Sequence, residues 1–198
     1  MWTETSDIEY LISQLESSDE IERENSAYLI GELASEAIEL AKNTLKNKKD
    51  IEKRNALAKP DIFNMTIEAL IPLTKDKVAW VRGNAVEALG KMRAQTAVNT
   101  LLDCLDDDEL VVVASAVESL GLIGDHSATG KLTELLETKE WSIRMQAARA
   151  LGNLRNPAVL NALSLALSDE RTDVSIAARE ALDQLSEDPS YLDSPLRA

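Results

Sequence analysis

The segment VRGNAVEALG, residues 81–90, recurs along this chain at intervals of 31 residues. Its copies read VVASAVESLG at 112–121, IRMQAARALG at 143–152 and VSIAAREALD at 174–183. A self-match with a period between about 20 and 50 residues is typical of a solenoid, in which each unit packs on its neighbours. Only 4% of the residues are aromatic, and Ala, Leu and Glu are common while Gly and Pro are scarce. This composition favours helices.

Each regular unit is predicted to hold two helices, a first helix and a second helix. The first helices are predicted over about 95–106, 126–138 and 157–168, and the second helices over about 78–92, 109–123, 140–154 and 172–186. Upstream, one helix begins near Ser6, another begins near Glu20, and Asp61 is predicted to cap a helix that runs to about Leu73. The predicted units are therefore about 6–45, 61–92, 95–123, 126–154 and 157–186, in one array over 1–198. An insertion over about 34–60 interrupts the first period, and 187–198 is predicted to be a loose tail.

Two faces of the second helix follow from its spacing of 100° per residue. Larger residues cluster on one face and are predicted to pack against the first helix of the same unit: Val81, Ala85, Ala88, Leu89 and Met92. Small residues cluster on another face and are predicted to pack against the next unit: Ala79, Gly83, Val86 and Gly90. The fifth unit has Asp183 at the glycine position, and a polar residue there is typical of a terminal cap.

These segments, together with Gly121-Leu122-Ile123-Gly124-Asp125, resemble HEAT repeats, and the closest resemblance is to the phycobilisome-lyase type. The resemblance implies an all-α fold, a right-handed α-solenoid of about five HEAT-like helix pairs. In this family an Asp in the turn and an Arg early in the second helix tend to form a ladder between units. Asp76, Asp107 and Asp169 match the turn residue, with Thr138 at the remaining place. Arg23, Arg82 and Arg144 match the arginine but Val113 and Ser175 do not, so we expect an incomplete ladder.

The remaining side of the second helix is the candidate binding surface, because HEAT-like arrays place this helix on the concave side. Tyr28, Trp80, Val111 and Leu122 are large apolar residues at positions that ought to face water, which indicates an interaction site. The predicted contact residues on this side are Tyr28, Trp80, Asn84, Glu87, Val111, Ser115, Glu118, Leu122, Gln146 and Arg149. The alternative is that the array or the insertion covers the apolar members, in which case they belong to the core.

A basic stretch lies within the predicted insertion, where residues 42–59 hold seven basic against two acidic side chains. It could contact an acidic or phosphate-bearing partner through Lys46, Lys48, Lys49, Lys53 and Arg54. The alternative is a solvated linker whose lysines follow a helix C-terminus, where the helix dipole favours cations.

Other candidate sites have simpler structural interpretations. The acidic run 106–109 lacks the spacing of a calcium loop. Cys104 aligns with Leu135 and Ala166, as a small buried residue would, and His126 aligns with Gln95 and Pro157 at helix starts. We therefore predict no catalytic residues, no metal site and no cofactor. One histidine is too few for the di-iron site of HEAT-like hydroxylases.

The sequence favours a non-catalytic scaffold or adaptor that binds another protein on the second-helix face. The alternative is a bilin (phycobilin) lyase or lyase-like chromophore chaperone, which the family resemblance implies. A net charge of −14 argues against nucleic acid as a partner. The absence of a signal peptide, of a long apolar run and of a second cysteine predicts a cytoplasmic protein with no membrane contact. We expect a monomer.

Overall fold

The computed structural model describes residues 5–43 and 60–186, and within these ranges it consists of helices without any strand. The described α-helices are α1 Thr5–Gln14, α2 Glu20–Asn43, α3 Pro60–Leu70, α4 Ala79–Lys91, α5 Val98–Asp103, α6 Leu110–Ile123, α7 Thr129–Glu134, α8 Trp141–Leu154, α9 Leu160–Ala166 and α10 Thr172–Ser186. The order of these ten helices confirms the predicted all-α fold of five helix pairs.

The first helices are less regular than predicted. The segment predicted as one helix over 95–106 has a 3₁₀ turn at each end, and only Val98–Asp103 is α-helical. Asp61 does not cap α3, because that helix begins at Pro60 and Asp61 is its second residue. Proline suits a first helical position because the missing N–H would have no partner there, and an acid in the first turn is favoured by the helix dipole.

The chain divides into two compact units between Ser119 and Leu120, within α6. We call residues 1–119 the N-terminal unit and residues 120–198 the C-terminal unit. In the N-terminal unit α1 contacts α2, α3 contacts α4, and α2 lies along α4. In the C-terminal unit α7 contacts α8, α9 contacts α10, and α8 lies along α10.

Each unit has its own apolar core, built from the repeated positions. Val81, Ala85 and Leu89 are fully buried in the N-terminal unit, and Ala147, Leu151 and Val174 are fully buried in the C-terminal unit. Burial of an aliphatic side chain stabilises the folded state by about 1.5–3 kcal/mol, so the same positions stabilise each helix pair in turn.

The repeated glycines lie where second helices of consecutive repeats meet, as predicted. A Cβ atom on Gly90 would lie 2.6 Å from the Cα atom of Ser119, and one on Gly121 would lie 2.9 Å from the Cα atom of Ala150. Only glycine allows this close approach, which explains why a residue that weakens an isolated helix recurs here.

One of the predicted helix faces was wrong at Ala88, which packs against a glycine of the preceding second helix. Ala88 was assigned by its spacing to the side facing the first helix of its own unit, but its Cα atom lies 3.4 Å from the Cβ position of Gly31. Ser119, Ala150 and Ala181 occupy the same register position and receive Gly90, Gly121 and Gly152. A small residue at position 88 is therefore required by the preceding second helix.

The arginine–aspartate ladder is present and incomplete, as expected. The Arg82 guanidinium donates to both carboxylate oxygens of Asp107, at 2.7 and 2.8 Å, and to the backbone carbonyl of Asp76 at 2.8 Å. Arg23 makes the same two-pronged contact with Asp76 in the N-terminal unit, and Arg144 makes it with Asp169 in the C-terminal unit. Two parallel charge-assisted bonds fix the turn geometrically as well as electrostatically.

Each ladder aspartate also accepts a backbone N–H bond just before the helix that follows it. The Oδ1 atoms accept from Val78, Glu109 and Arg171 at 2.8, 2.9 and 2.8 Å, and each of these residues directly precedes a second helix. Arg82 holds the pKa of Asp107 below its usual value, although burial opposes this effect, and Arg144 does the same for Asp169. The folded state therefore prefers the ionised carboxylates.

The arginine–aspartate ladder makes the free energy of unfolding depend on pH in the acidic range. A carboxylate whose pKa is lowered by folding stabilises the folded state above its unfolded pKa of about 3.9, and this contribution is lost as the pH falls through the lower folded value. We expect the free energy of unfolding to fall below about pH 4, and to fall less steeply in Arg82→Ala, whose Asp107 lacks the neighbouring cation.

At neutral pH Arg82→Ala is expected to lower the free energy of unfolding by about 1–2 kcal/mol, because both partners keep some contact with water. Urea unfolding at several pH values measures both effects. Arg179→Ala is the matched control, since Arg179 is exposed and has no ion pair with the described residues. Identical pH profiles for wild type and Arg82→Ala would contradict the role given to this ion pair.

The predicted insertion and tail lie mostly outside the described residues. The second predicted helix begins at Glu20, as expected, and continues to Asn43. The rest of the insertion, the basic residues from Lys46 to Lys59, and the tail 187–198 lie outside the described residues. Asp183, predicted as a terminal polar residue, is exposed.

Candidate functional site

Four large apolar side chains stand out on the second helices of the N-terminal unit, because at least half of each is exposed. The exposed fractions are 62% for Ile21, 50% for Tyr28, 60% for Trp80 and 50% for Leu110. Ile21 and Trp80 occupy the same position of two consecutive second helices, α2 and α4, which pack side by side. We call the exposed sides of α2, α4 and α6, up to Ser119, the N-terminal ridge.

The α6 helix joins this ridge through its packing on α4. The Cβ position of Gly83 on α4 lies 4.0 Å from Cγ2 of Val111 and 3.9 Å from Oγ of Ser115. Val111 is partly buried by this contact, so it presents less apolar surface than predicted. Leu110, the first residue of α6, supplies the exposed apolar side chain at this end instead.

The polar residues of the ridge are held by specific bonds. The Asn84 side chain donates to the backbone carbonyl of Glu24 across the α2–α4 contact, at 3.3 Å. Lys91 lies between two glutamates, 2.7 Å from Glu32 and 2.7 Å from Glu87. Burial alone would lower the pKa of Lys91, but the hydrogen bonds to both carboxylates outweigh it and raise the pKa. Lys91 therefore remains a cation that links α2 to α4.

The predicted contact residues of the C-terminal unit differ in how exposed they are. Leu122 is partly buried and Arg149 is exposed. Gln146 is partly buried, and its Oε1 atom is enclosed without a hydrogen-bond partner in the described part of the chain. Ala177, at the same position as Gln146 in the last repeat, is fully buried.

Two ridge residues were missing from the predicted apolar patch. Ile21 shares its register position with Trp80, so the repeat alone could have identified it. Leu110 shares its position with Ala79, which was assigned to the contact between units, so the repeat pattern did not predict its exposure. The exposure of Leu110 follows from its place at the first turn of α6.

The surroundings of Cys104 and His126 favour a structural role for each residue over a catalytic one. Cys104 is buried beside a groove of about 410 Å³ in the N-terminal unit, and burial raises the pKa of its thiol to about 11 despite a hydrogen bond with Thr74. A neutral thiol is a poor nucleophile. His126 is exposed, and its Nε2 atom donates to the carbonyl oxygen of Leu154 at 2.9 Å. This bond ties the start of a first helix to the end of α8.

Neither a metal site nor a membrane-spanning helix is found in the described residues. Side chains able to bind a metal do not come together in groups of three or more within 5–43 and 60–186. No helix in these ranges combines the length and the apolar composition needed to cross a bilayer.

The fold is shared with several solved structures. A chain in the complex of CpcE and CpcF of phycocyanin lyase from Nostoc sp. PCC7120 is 24% identical with a TM-score of 0.70, over 93% of this chain and 66% of that chain. Human deoxyhypusine hydroxylase is 18% identical with a TM-score of 0.55, over 93% of this chain and 75% of that one. A designed armadillo repeat protein in complex with the peptide (KR)4 is 20% identical with a TM-score of 0.50, over 90% and 99%.

These likenesses concern the fold, and this chain spans about two thirds of the length of the phycocyanin lyase chain. The search of curated proteins finds no match. A family model of HEAT repeats, in contrast, matches residues 55–121 and 111–183, which together cover well over half of the sequence. Together with the repeated helix pairs, this match shows that the chain belongs to the HEAT repeat family.

Proposed function

We propose that this chain is a protein-binding scaffold and that its partner docks on the N-terminal ridge. The observation that carries the proposal is the exposure of Ile21, Tyr28, Trp80 and Leu110 on helices whose other faces are closely packed. Exposed apolar side chains grouped on one surface and bordered by polar groups are typical of interaction sites. Trp and Tyr are also the residues that most often dominate binding energy at protein interfaces.

The rigidity of the ridge supports this function. The glycine contact between α4 and α6, the Lys91 bridge between α2 and α4, and the ladder bonds of Arg23 and Arg82 fix the three helices relative to one another. A surface that is already ordered loses little conformational entropy on binding, so more of the contact energy remains as affinity.

Trp80→Ala is expected to weaken partner binding by at least about tenfold, because a buried aromatic anchor contributes about 2 kcal/mol or more at an interface. The same change should alter the free energy of unfolding by less than about 0.5 kcal/mol, since the side chain is mostly exposed in the free protein. Affinity capture with the intact protein identifies the partner, and titration calorimetry with the purified partner gives the dissociation constants.

Trp141→Ala is the matched control, because Trp141 is a partly exposed tryptophan of the C-terminal unit. It should leave the affinity for the partner unchanged within about twofold. An equal loss of affinity in the two variants, or no loss in Trp80→Ala, would remove the N-terminal ridge as the binding surface.

The alternative function is that of a bilin lyase or a lyase-like chromophore chaperone. It is supported by the resemblance of the repeats and by the phycocyanin lyase complex among the structures with the same fold. Incubation of the purified protein with a bilin separates the two functions, because a bound chromophore changes its absorption spectrum. An unchanged spectrum at saturating protein would exclude bilin binding, and the scaffold function would be the one that remains. The predicted monomeric state and cytoplasmic location stay predictions.

A further inference from the structure

The two units differ in charge. The N-terminal unit holds 23 acidic and 13 basic side chains, a net charge of −10, whereas the C-terminal unit holds 12 acidic and 8 basic side chains, a net charge of −4. The excess of negative charge is therefore concentrated in the unit that carries the exposed apolar ridge. A ligand that approaches this unit meets a negative potential, which attracts cationic groups and repels anionic ones.

Three basic side chains of α2 and α4 are already engaged. Arg23 and Arg82 hold the ladder aspartates, and Lys91 binds Glu32 and Glu87 at the same time. In contrast, Glu118 is exposed on α6 and makes no ion pair with the described residues. Glu109, beside Leu110, is exposed in the same way. Carboxylates next to the apolar ridge are therefore available to a partner.

The aromatic residues favour a cationic ligand as well. In the C-terminal unit the Arg171 guanidinium lies over the ring of Trp141, with 4.5 Å from its carbon to the ring centroid. Trp80 is more exposed than Trp141, and no cation of the described residues lies over its ring. A cation placed on an aromatic face is attracted by the negative face of the ring, and tryptophan is the best acceptor.

We propose that the partner segment which docks on the N-terminal ridge is a basic peptide segment. It carries an apolar side chain that packs beside Ile21 and Trp80, and lysines or arginines that pair with Glu118 and Glu109 or stack on Trp80. This inference rests on the proposed scaffold function and adds the chemistry of the partner to it. Charge complementarity of this kind raises the rate of association and excludes acidic competitors.

A random peptide library displayed on phage tests the inference, with the full chain as bait and Trp80→Ala as the counter-selection. We expect the retained peptides to combine lysine or arginine with an aromatic or aliphatic residue, and their affinity to fall as salt is added. Retained peptides that depend on Trp80 but are neutral or acidic would contradict the proposal of a basic partner segment, while the proposed scaffold function would still hold. Basic peptides that bind Trp80→Ala equally well, or no enrichment at all, would overturn both.

Two matched charge reversals complete the test on a synthetic copy of one retained peptide. Glu118 and Glu180 are exposed glutamates at the same position of the second helix, on α6 and α10. Glu118→Lys should weaken peptide binding roughly threefold to tenfold, as expected for reversal of one partly exposed charge pair. Glu180→Lys should change it by less than about twofold. Equal effects of the two reversals would show a general charge attraction and contradict a site on the N-terminal ridge.

Discussion

Leu120→Ala should lower the free energy of unfolding by about 2–5 kcal/mol, the range for a leucine truncated in a closely packed core. Leu120 is fully buried, as are Leu89 and Leu151 at the same position of the neighbouring repeats. The truncation removes apolar contacts and leaves a cavity that the surrounding helices fill only in part. Urea or thermal unfolding monitored by circular dichroism measures the effect.

Leu165→Ala is the control for this change, because Leu165 lies in the same C-terminal unit with 76% of its surface exposed. Its truncation should change the free energy of unfolding by no more than about 0.5 kcal/mol. If both leucine variants unfolded at the same denaturant concentration, the repeat register would not determine the core.

Gly121→Ala should destabilise the fold by about 1–3 kcal/mol, although alanine is the better helix former. The added Cβ atom would lie 2.9 Å from both Cα and Cβ of Ala150, so α6 and α8 would have to move apart. Gly130→Ala is the same substitution on α7, at a place where the new methyl group meets no atom within 4 Å.

The two glycine variants are therefore expected to change stability in opposite directions. Gly130→Ala should gain up to about 1 kcal/mol from helix propensity and from the reduced entropy of the unfolded chain. Differential scanning calorimetry of both variants compares the two sites directly. A stabilised Gly121→Ala would mean that the close approach of α6 and α8 does not constrain this position.

The sequence predicted the helix pairs well because the same physical requirement recurs every 31 residues. Leu120 and Gly121 show this. The leucine must be buried and the glycine must allow a neighbouring backbone to approach, and both residues recur at fixed positions of the repeat. The incomplete ladder was predictable for the same reason, since Val113 and Ser175 cannot donate as arginine does.

The sequence predicted individual exposures less well, because exposure depends on which neighbour covers a position. Ala88 lies on the helix between the side facing its own unit and the side facing the preceding one, and a helical wheel does not separate them. Val111 was expected in water but packs near Gly83, whereas Leu110 beside it is exposed. The first outcome follows from the packing of α6 on α4 and the second from the place of Leu110 at the first turn of α6. The 31-residue period specifies neither.

The proposed partner surface could be located only approximately from the sequence. The repeat identified the side of the second helices on which it lies, through Tyr28 and Trp80. The structure adds Ile21 and Leu110 to the apolar residues of the N-terminal ridge. Arg23, Arg82 and Lys91 do not balance the exposed glutamates beside these residues, because each of the three cations is paired with another carboxylate.

Site-specific photo-crosslinking tests the binding surface most directly. A benzophenone amino acid replaces Tyr28 on the N-terminal ridge in one variant of the full chain. In another variant it replaces Leu165, a more exposed residue of a first helix. After irradiation in the source cells, we expect a discrete protein adduct from position 28 that disappears when Trp80→Ala is added, and no such adduct from position 165. A specific adduct from position 165, with none from position 28, would contradict the assignment of the partner to the N-terminal ridge.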